Sequence, residues 1–431
     1  MKTVIRPESE MKDSGIEWIG DIPKDWNSAP IKVNFDIYAG ATPSSNNPIY
    51  WDGDIAWITP ADYKTEDKYV SCGKRHISQD GYDNCSAILV PANSIIFSKR
   101  APIGTVAISK NELCTNQGCL SCVSKDDSNI EFYYYAMSIA TEEFELKGSG
   151  TTFKEISLAN FKNFRFAVPP LSEQQAIADY LDETCSKIDE IIAEAKASID
   201  EYKNLRESLI SNATTQGIKK NRCMKSSGVE WVLEIPSDWD MIPAKVLFSQ
   251  SNERKHVDDV QLTASQKYGI ISQVEYMKRE NSRIVIATQG IENWKHVEPN
   301  DFIISLRSFQ GGLEKSDVSG CITWHYVVLK ANNGVYYDYF KWLFKSDKYI
   351  NALQGTCNFI RNGQDLRFSN FVQVPLLVVP IEEQKEIADY LNKKVPKIDS
   401  LIAEKQSLIA DLEAYKKSLI YEVVTGKRRV V

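Results

Sequence analysis

Residues 170–210, PLSEQQAIADYLDETCSKIDEIIAEAKASIDEYKNLRESLI, return without a gap as residues 380–420, PIEEQKEIADYLNKKVPKIDSLIAEKQSLIADLEAYKKSLI, with 18 of 41 positions identical. A second pair precedes the first, because residues 11–35 match residues 224–248 at 14 of 25 positions. Self-similarity at a fixed offset is the signature of a duplicated structural unit. The chain is therefore a tandem duplication of one unit of about 210 residues.

The stretches between the repeated pieces, 36–169 and 249–379, show almost no identity to one another. A chain that keeps its repeated segments and varies its inserts is suited to present two different surfaces at a fixed separation. The duplication alone does not say what those surfaces bind.

Composition places the chain among ordinary globular proteins. Its 431 residues allow two to four domains, and 43% are hydrophobic while 25% are charged. No apolar run approaches the roughly 20 residues of a membrane span, and the N-terminus lacks the apolar core of a signal peptide, so we expect a cytoplasmic protein that does not enter a membrane. Nine cysteines, an odd number, indicate reduced thiols and not a set of disulfides. A net charge of −7 argues against nucleic-acid binding but does not exclude it, because local basic patches are compatible with an acidic total.

The repeated segments predict a short helix followed by a long one in each copy, with Ser186 and Pro396 as the starts of the long helices. Each long helix covers about 26–28 residues, or roughly 40 Å at 1.5 Å per residue. Apolar residues alternate at spacings of three and four, which is typical of a coiled-coil seam. The predicted seam consists of Ile188, Ile192, Ile199, Tyr202, Leu209, Ile398, Ile402, Ile409, Leu412 and Leu419.

The obvious partner for each seam is the other copy, paired antiparallel. The alternative is two separate amphipathic helices, each lying on its own domain. Leu205, Ile210, Leu408 and Tyr415 lie off the seam, so the helices also offer apolar residues to another protein.

Each insert carries short β-type runs, among them 87–90 in the first and 321–329 in the second. An aromatic helical stretch follows in each insert, at 130–146 and 335–350. The fold class is therefore α/β (α+β), with two domains built on twisted, mostly antiparallel sheets and separated by the paired helices.

Loops beside these runs gather side chains suited to DNA contact. Arg and Lys pair with guanine edges or phosphates, Gln pairs with adenine edges, and glycine lets backbone amides approach phosphate. The candidate DNA-binding residues are Lys99, Arg100, Gln117, Thr151 and Lys154 in the first insert, and Arg307, Gln310, Arg361, Gln364 and Arg367 in the second. Ordinary solvated loops remain the alternative for any one of them.

Several patterns that resemble catalytic or metal sites are incomplete. Cys114-x4-Cys119-x2-Cys122 has the spacing of a ferredoxin cluster but no evident fourth ligand, so thiols are the better reading. Asn47-Pro48-Ile49-Tyr50 is a near match to a methyltransferase motif and more consistent with a turn. The histidines, which lie far apart and predict no metal site, are His76, His256, His296 and His325. No phosphate-binding loop is present either, so we expect neither catalytic residues nor a cofactor in this chain.

Taken in order, several motifs resemble the specificity subunit of type I restriction–modification systems. They are GIEWIGDIPKDW (15–26) with its copy, WITP (57–60), SKRAPIG (98–104), TNQG (115–118), EQQAIADYL (173–181), LRSFQGG (306–312) and EQKEIADYL (383–391). The resemblance covers nearly the whole chain.

The resemblance implies a non-catalytic DNA reader, in which each insert recognises one half of a split, asymmetric site in double-stranded DNA. Target recognition domains would span 11–169 and 224–379, with spacer helices at 170–218 and 380–426. The helices would dock two modification subunits, which suits the pseudo-twofold of the duplication, and restriction subunits would join through these. S-adenosylmethionine, ATP and Mg²⁺ would belong to those partners. A helix of about 40 Å spans a little more than one DNA turn of about 34 Å.

Two rival classes remain at this stage. A coiled-coil scaffold without DNA specificity has no need of two divergent, loop-rich inserts. A self-contained methyltransferase needs a cofactor loop and an intact catalytic motif.

Overall fold

The computed structural model describes residues 2–100, 102–125, 128–150, 154–282, 290–305, 308–356 and 366–431. The chain divides into two compact units. Unit 1 consists of Met1–Ala195 and Ser407–Val431, and unit 2 consists of Lys196–Gln406. This division gives one half of each repeated helix to each unit, whereas the predicted division set the helices apart from the recognition domains.

The strands are β1 Thr3–Ile5, β2 Met11–Asp13, β3 Asp21–Pro23, β4 Asn27–Pro30, β5 Phe35–Ala39, β6 Trp51–Ile58, β7 Tyr69–Val70, β8 Arg75–Ile77, β9 Ile95–Lys99, β10 Ile103–Ser109, β11 Cys114–Thr115, β12 Cys119–Ser124, β13 Arg165–Val168, β14 Met224–Val229, β15 Val232–Pro236, β16 Asp240–Ile242, β17 Phe248–Ser251, β18 Leu262–Ser265, β19 Gly269–Ser272, β20 Lys295–Val297, β21 Phe302–Ile304, β22 Glu314–Lys315, β23 Gly320–Ile322, β24 Val327–Ala331, β25 Leu376–Val378 and β26 Arg428–Val430. The helices are α1 Gln79–Asp83, α2 Ile130–Ser138, α3 Thr141–Leu146, α4 Leu158–Lys162, α5 Leu171–Gln216, α6 Ala244–Leu247, α7 Gln273–Glu280, α8 Ser308–Gly311, α9 Tyr337–Leu343, α10 Asp347–Gly355, α11 Phe368–Phe371 and α12 Ile381–Val424.

Unit 1 is built on a five-stranded sheet in the order β5-β12-β9-β10-β7. A second, three-stranded sheet has the order β11-β6-β8. Adjacent strands of the larger sheet are antiparallel except β10 and β7. Two-stranded pairs β2-β3, β4-β13 and β1-β26 complete the unit. The predicted mostly antiparallel architecture is confirmed.

Unit 2 repeats part of this topology with fewer strands. Its largest sheet runs β17-β24-β21-β22 and is antiparallel throughout. The order β17-β24-β21 corresponds to β5-β12-β9 of unit 1, and β16-β25 corresponds to β4-β13. The duplication visible at the ends of each sequence repeat therefore extends to the strand order of the unlike inserts.

Each unit has its own aromatic core, and the repeated helices contribute to it. In unit 1, Phe97, Phe144 and Phe164 lie in one cluster with Leu181 of α5 and Leu419 of α12. In unit 2, a second cluster combines Phe248, Phe302 and Phe344 with residues of the same two helices. Because removing large apolar side chains from water is the main driving force of folding, this shared burial joins helix and insert in each unit.

The repeated helices pair antiparallel within each unit. In unit 1, the Lys416 Nζ of α12 lies 2.6 Å from an Asp189 carboxylate oxygen of α5. In unit 2, Arg206 pairs with Asp399 at 2.8 Å and Lys219 with Glu386 at 3.6 Å. Lys219 follows Arg206 in the sequence, whereas its partner Glu386 precedes Asp399. The two segments of unit 2 therefore run antiparallel.

The predicted division of each repeat into a short and a long helix is wrong. α5 contains 46 residues and α12 contains 44, and Pro396 lies inside α12. Val395 and Ile398, on either side of Pro396, are buried. Their burial stabilises the helical backbone by about 1.5–3 kcal/mol each, which offsets the roughly 3 kcal/mol cost of an internal proline.

The predicted seam occupies the protected side of both helices. Ile188, Ile192, Ile199, Ile398 and Leu419 are buried, and the other five seam residues are half-buried. Off the seam, Leu205, Leu408 and Tyr415 are exposed as expected, whereas Ile210 is buried in the core of unit 2.

Candidate nucleic-acid interface

Three loops of unit 1 meet at the end of strand β9. The backbone N–H of Lys99 donates to the Gly118 carbonyl at 3.0 Å, and the N–H of Ile156 donates to the Lys99 carbonyl at 3.1 Å. The isolated bridge between Arg100 and Glu155 adds a further link between two of these loops. A fourth segment, residues 40–42, joins these loops because the Ala41 N–H donates to the Thr115 carbonyl at 2.9 Å. The four segments form one surface, called the unit 1 loop cluster, made of residues 40–42, 98–100, 115–118 and 154–156.

Glu155 dominates the electrostatics of the unit 1 loop cluster. Its carboxylate lies 2.8 Å from Lys99 Nζ and 3.7 Å from Arg100 Nη1. Both cations are half-buried, while Lys154 next to Glu155 is exposed. A phosphate approaching this surface must therefore compete with Glu155 for the two cations.

Two glycines allow the loops of this cluster to approach closely. A Cβ on Gly40 would lie 2.2 Å from the Asn116 carbonyl oxygen, so a larger residue at position 40 forces the loops apart. The N–H of Gly118 donates to Asn116 Oδ1 at 2.8 Å, which closes the turn from Asn116 to Cys119. Gln117 projects into solvent from this turn, and Thr42 donates a hydrogen bond to its side-chain oxygen.

The structure thus brings together four of the five residues predicted in the first insert: Lys99, Arg100, Gln117 and Lys154. Thr151 lies outside the described residues. Sequence reasoning missed Glu155 because a carboxylate does not suggest a DNA contact, and it missed Thr42 because that residue lies outside the loops that the sequence singled out. An acidic residue directly after Lys154 was the one available signal for an internal ion pair.

In unit 2, two predicted residues are described and both are exposed. Gln310 lies in α8, which packs on α10. Arg367 precedes α11, where Asn370 donates through Nδ2 to the carbonyl of Thr356 at the end of α10. Helix α10 therefore links the two positions. Arg307, Arg361 and Gln364 lie outside the described residues.

Contacts around α8 involve residues that the sequence did not single out. A Cβ on Gly311 would come within 2.6 Å of the Gln266 side chain, which reaches this turn from the β18–β19 hairpin. Lys345 donates to the Gly311 carbonyl at 2.9 Å and also pairs with Glu314. The turn that carries Gln310 is therefore supported from two sides.

The tryptophans of the leading repeat act as packing residues. In unit 1, Trp26 donates through Nε1 to Glu173 at 2.7 Å, and Arg6 pairs with the same carboxylate. Trp18 packs against Phe164 with ring centroids 5.9 Å apart.

Unit 2 builds the same contact from its own residues. Trp239 donates through Nε1 to Glu383 at 3.0 Å, and Arg222 pairs with Glu383 and with Asp238. Each leading repeat is thus joined to the first turn of its long helix by one tryptophan, one arginine and one glutamate.

The cysteines of the ferredoxin-like spacing lie in the sheets of unit 1 and are buried. Burial raises the pKa of the Cys114 thiol to about 12, and burial is also the largest cause of the rise to about 12 in the pKa of Cys119. Burial raises the pKa of Cys122 as well. Because thiolates rather than thiols bind metals, these residues are poor cluster ligands.

Asn47-Pro48-Ile49-Tyr50 forms a turn, as expected. Asn47 caps the 3-10 helix Pro48–Tyr50, and its side chain accepts a hydrogen bond from the Ile49 N–H at 3.3 Å. Its amide is therefore engaged in holding the local backbone.

Two of the four histidines, although far apart in the sequence, lie together in the structure. His256 stacks on His296, with ring centroids 3.8 Å apart, and Glu253 lies beside them. Residues forty positions apart meet because the backbone of residues 253–255 pairs with that of residues 294–296.

Comparison with known proteins agrees with these features. Residues 23–201 match the model of the type I restriction modification DNA specificity domain. The MjaIX specificity subunit of a type I restriction enzyme from Methanocaldococcus jannaschii is 38% identical over 208 residues, which is 46% of this chain and 47% of that protein. The putative MjaX specificity subunit from the same organism is 22% identical over 443 residues and 96% of both chains.

The chain is similar to type I restriction–modification specificity subunits. A solved chain from work on the complex assembly and conformational transition of a type I system shares its fold, with a TM-score of 0.70 over 94% of this chain and 99% of that one at 13% identity. The match to the MjaIX subunit spans only about half of that protein's length. In the part of the chain that the structure describes, no helix combines the length and apolar character of a membrane span.

Proposed function

We propose that the chain is the non-catalytic DNA-recognition subunit of a type I restriction–modification complex. Each insert reads one half of a bipartite, asymmetric site in double-stranded DNA, and the repeated helices set the length of the unread spacer. The observation that carries this proposal is the duplication of helices and strand order around two inserts of unlike sequence. A reader of two different half-sites needs this combination of common framework and distinct surface.

The unit 1 loop cluster supports the proposal at the level of side chains. Lys99, Arg100 and Lys154 supply positive charge, and the exposed Gln117 supplies an amide. These groups suit contact with both phosphates and base edges. Partner subunits supply further phosphate neutralisation, which accommodates the net charge of −7.

The exposed apolar residues of the long helices are the proposed docking sites for two modification subunits. Ile191 and Leu205 in α5 correspond, at the repeat offset, to Leu401 and Tyr415 in α12, and all four are exposed. Duplicated apolar positions suit two copies of one partner. Restriction subunits then join through the modification subunits, and those partners hold S-adenosylmethionine, ATP and Mg²⁺.

The test of recognition is to map methylated adenines in a genome that carries this chain with its modification partner. We expect a split motif, and replacing residues 36–169 with the insert of another family member should change one half of it only. Replacing residues 249–379 should change the other half. A continuous motif, or a motif that both exchanges leave unchanged, contradicts the proposal.

The test of docking is the stoichiometry of the complex with the modification subunit, measured by native mass spectrometry. The double variant Leu205→Glu, Leu401→Glu places charge on the two docking residues that lie in unit 2. We expect it to bind one modification subunit instead of two, because the docking residues of unit 1 are unchanged. Lys203→Glu alters an exposed polar position of α5 and serves as the control. Unchanged stoichiometry in the double variant removes these residues from the docking surface.

A further inference from the structure

A group of two histidines and one glutamate in unit 2 has the composition of a transition-metal site. Glu253, His256 and His296 each offer one ligand atom, and these atoms lie within 4.8 Å of one another. In a tetrahedral zinc site with bonds of about 2.0–2.2 Å, ligand atoms are about 3.4 Å apart. The two rings are stacked with an interplanar angle of 22°, so their in-plane lone pairs do not converge, and binding requires the exposed His256 to rotate off His296.

The backbone already holds the three residues together. The N–H of His296 donates to the Glu253 carbonyl, and the N–H of Lys255 donates to the Trp294 carbonyl, both at 2.9 Å. His296 itself lies on β20, which pairs with β23. The ligands therefore come from two adjacent, hydrogen-bonded segments, and binding a metal requires no rearrangement of the main chain.

Asp259 orients the buried histidine as the outer carboxylate of a metal site does. Its Oδ2 lies 2.9 Å from His296 Nδ1, and both side chains are about 5% exposed. The same oxygen accepts a hydrogen bond from the His256 N–H at 2.8 Å. An ionised carboxylate accepts from Nδ1–H, and in that tautomer of the neutral imidazole Nε2 carries the lone pair that a metal needs.

We propose that Glu253, His256 and His296 bind one divalent transition-metal ion, of which Zn²⁺ is the best match to two imidazoles and one carboxylate. Water completes the coordination, because three protein ligands leave one position open. His256 Nε2, now 3.1 Å from Glu253 Oε1, binds the ion after its proton moves to Nδ1. The ion ties residues 253–259 to β20.

Neighbouring cations limit how strongly the ion binds. Lys330 Nζ lies 3.4 Å from Glu253 Oε2 and 2.6 Å from Glu298 Oε2. Lysine therefore occupies the second oxygen of Glu253 and leaves Oε1 toward the histidines. Lys255 donates to the His256 carbonyl at 3.4 Å and adds a second positive charge nearby.

The experiment is a titration of the full chain with Zn²⁺ alone, by calorimetry and by competition with a coloured chelator. Exposed thiols also bind zinc, so Cys72, Cys223 and Cys357 are first replaced by serine; Cys72 and Cys223 are exposed, and Cys357 lies outside the described residues. We expect one equivalent to bind and the melting temperature to rise with zinc concentration.

His256→Ala and Glu253→Gln should each weaken binding at least tenfold and abolish the zinc-dependent rise in melting temperature. His325→Ala changes an exposed histidine of the same unit and should retain both. If His256→Ala fails to fold, Glu253→Gln carries the test, because its shape is unchanged. Absence of a stoichiometric equivalent at about 10 µM protein, or equal binding in both variants and control, overturns the proposal.

Discussion

At the scale of residues, the pair Glu-Gln at 173–174 and at 383–384 explains why the sequences at the starts of the two long helices are so similar. Glu173 and Glu383 bind the tryptophan and arginine of their own units. Gln384 accepts from the N–H of Tyr336 at 2.7 Å and donates to the Val379 carbonyl at 2.8 Å, and Gln174 makes the corresponding contacts. Two adjacent polar side chains thus join the leading repeat, the aromatic helices and the long helix of each unit.

We predict that Glu383→Gln lowers the free energy of unfolding of unit 2 by about 1.5–3 kcal/mol, the range for a lost hydrogen bond to a charged group. The Glu383 side chain is 3% exposed, so solvent does not replace the lost partner. Glu382→Gln is the matched control, since Glu382 is exposed and pairs with the exposed Lys385 at 2.9 Å. Its effect should stay within about 0.5 kcal/mol in the same urea titration.

The pH dependence of this effect has a definite sign. Burial raises the pKa of Glu383, but Arg222 and Trp239 outweigh burial and hold it below the ordinary value of 4.5. A carboxyl group with a depressed pKa stabilises the folded state above its unfolded pKa and loses this contribution as pH falls through the folded pKa. The stability difference between wild type and Glu383→Gln should therefore be full at pH 6 and shrink below 4.5. A difference that grows in acid contradicts the assignment.

Thiol reactivity gives a third prediction at this scale. Cys114 and Cys119, with pKa values raised to about 12, should resist iodoacetamide in the folded protein at pH 8. Cys72 and Cys223 are exposed and should react first. Peptide mass spectrometry measures the order of labelling. Early modification of Cys114 or Cys119 contradicts the buried strand positions.

At the scale of elements, α12 tests how packing overrides local propensity. Pro396 is exposed inside the helix, so its side chain contributes little packing. Pro396→Ala restores a backbone donor, and we expect it to raise the free energy of unfolding by about 1–3 kcal/mol. Ser186→Ala, at the matched exposed position of α5, should change it by no more than about 0.5 kcal/mol. Destabilisation by Pro396→Ala in a urea titration shows that the helix is broken there.

The sequence predicted the helical character and the seam of the repeats because heptad spacing is local, but it did not predict that each repeat forms one continuous helix. It failed where tertiary contacts decide the outcome. Residues 321–329 read as one strand, but a turn in which the Tyr326 N–H donates to the Thr323 carbonyl divides them into β23 and β24. Residues 87–90 read as a strand and form only a bridge at Val90. The His256–His296 stack depends on the pairing of two distant segments, which no spacing rule reveals.

At the scale of the whole molecule, the two unlike inserts make a prediction that neither unit makes alone. If each insert reads its own half-site, changes in the unit 1 loop cluster should affect one half of the motif and leave the other intact. The duplicated framework supplies the same support to both inserts, so the effect should not spread through loss of folding. This separates a bipartite reader from a scaffold that binds DNA nonspecifically.

Lys99→Ala and Arg100→Ala are the informative variants in the assembled modification complex. If the replaced residue binds a phosphate, its loss should lower the affinity for all DNA sequences equally and reduce the slope of log affinity against log salt concentration by about 1. If the replaced residue binds a base, its loss should leave this slope nearly unchanged and lower the binding free energy by about 1–3 kcal/mol at one position of one half-site. Lys110→Ala is the control. Lys110 follows β10 at the open end of the β9–β10 hairpin, whereas Lys99 lies at the turn end. If binding, salt slope and motif are the same in both variants as in the control, the unit 1 loop cluster is not the DNA-contacting surface.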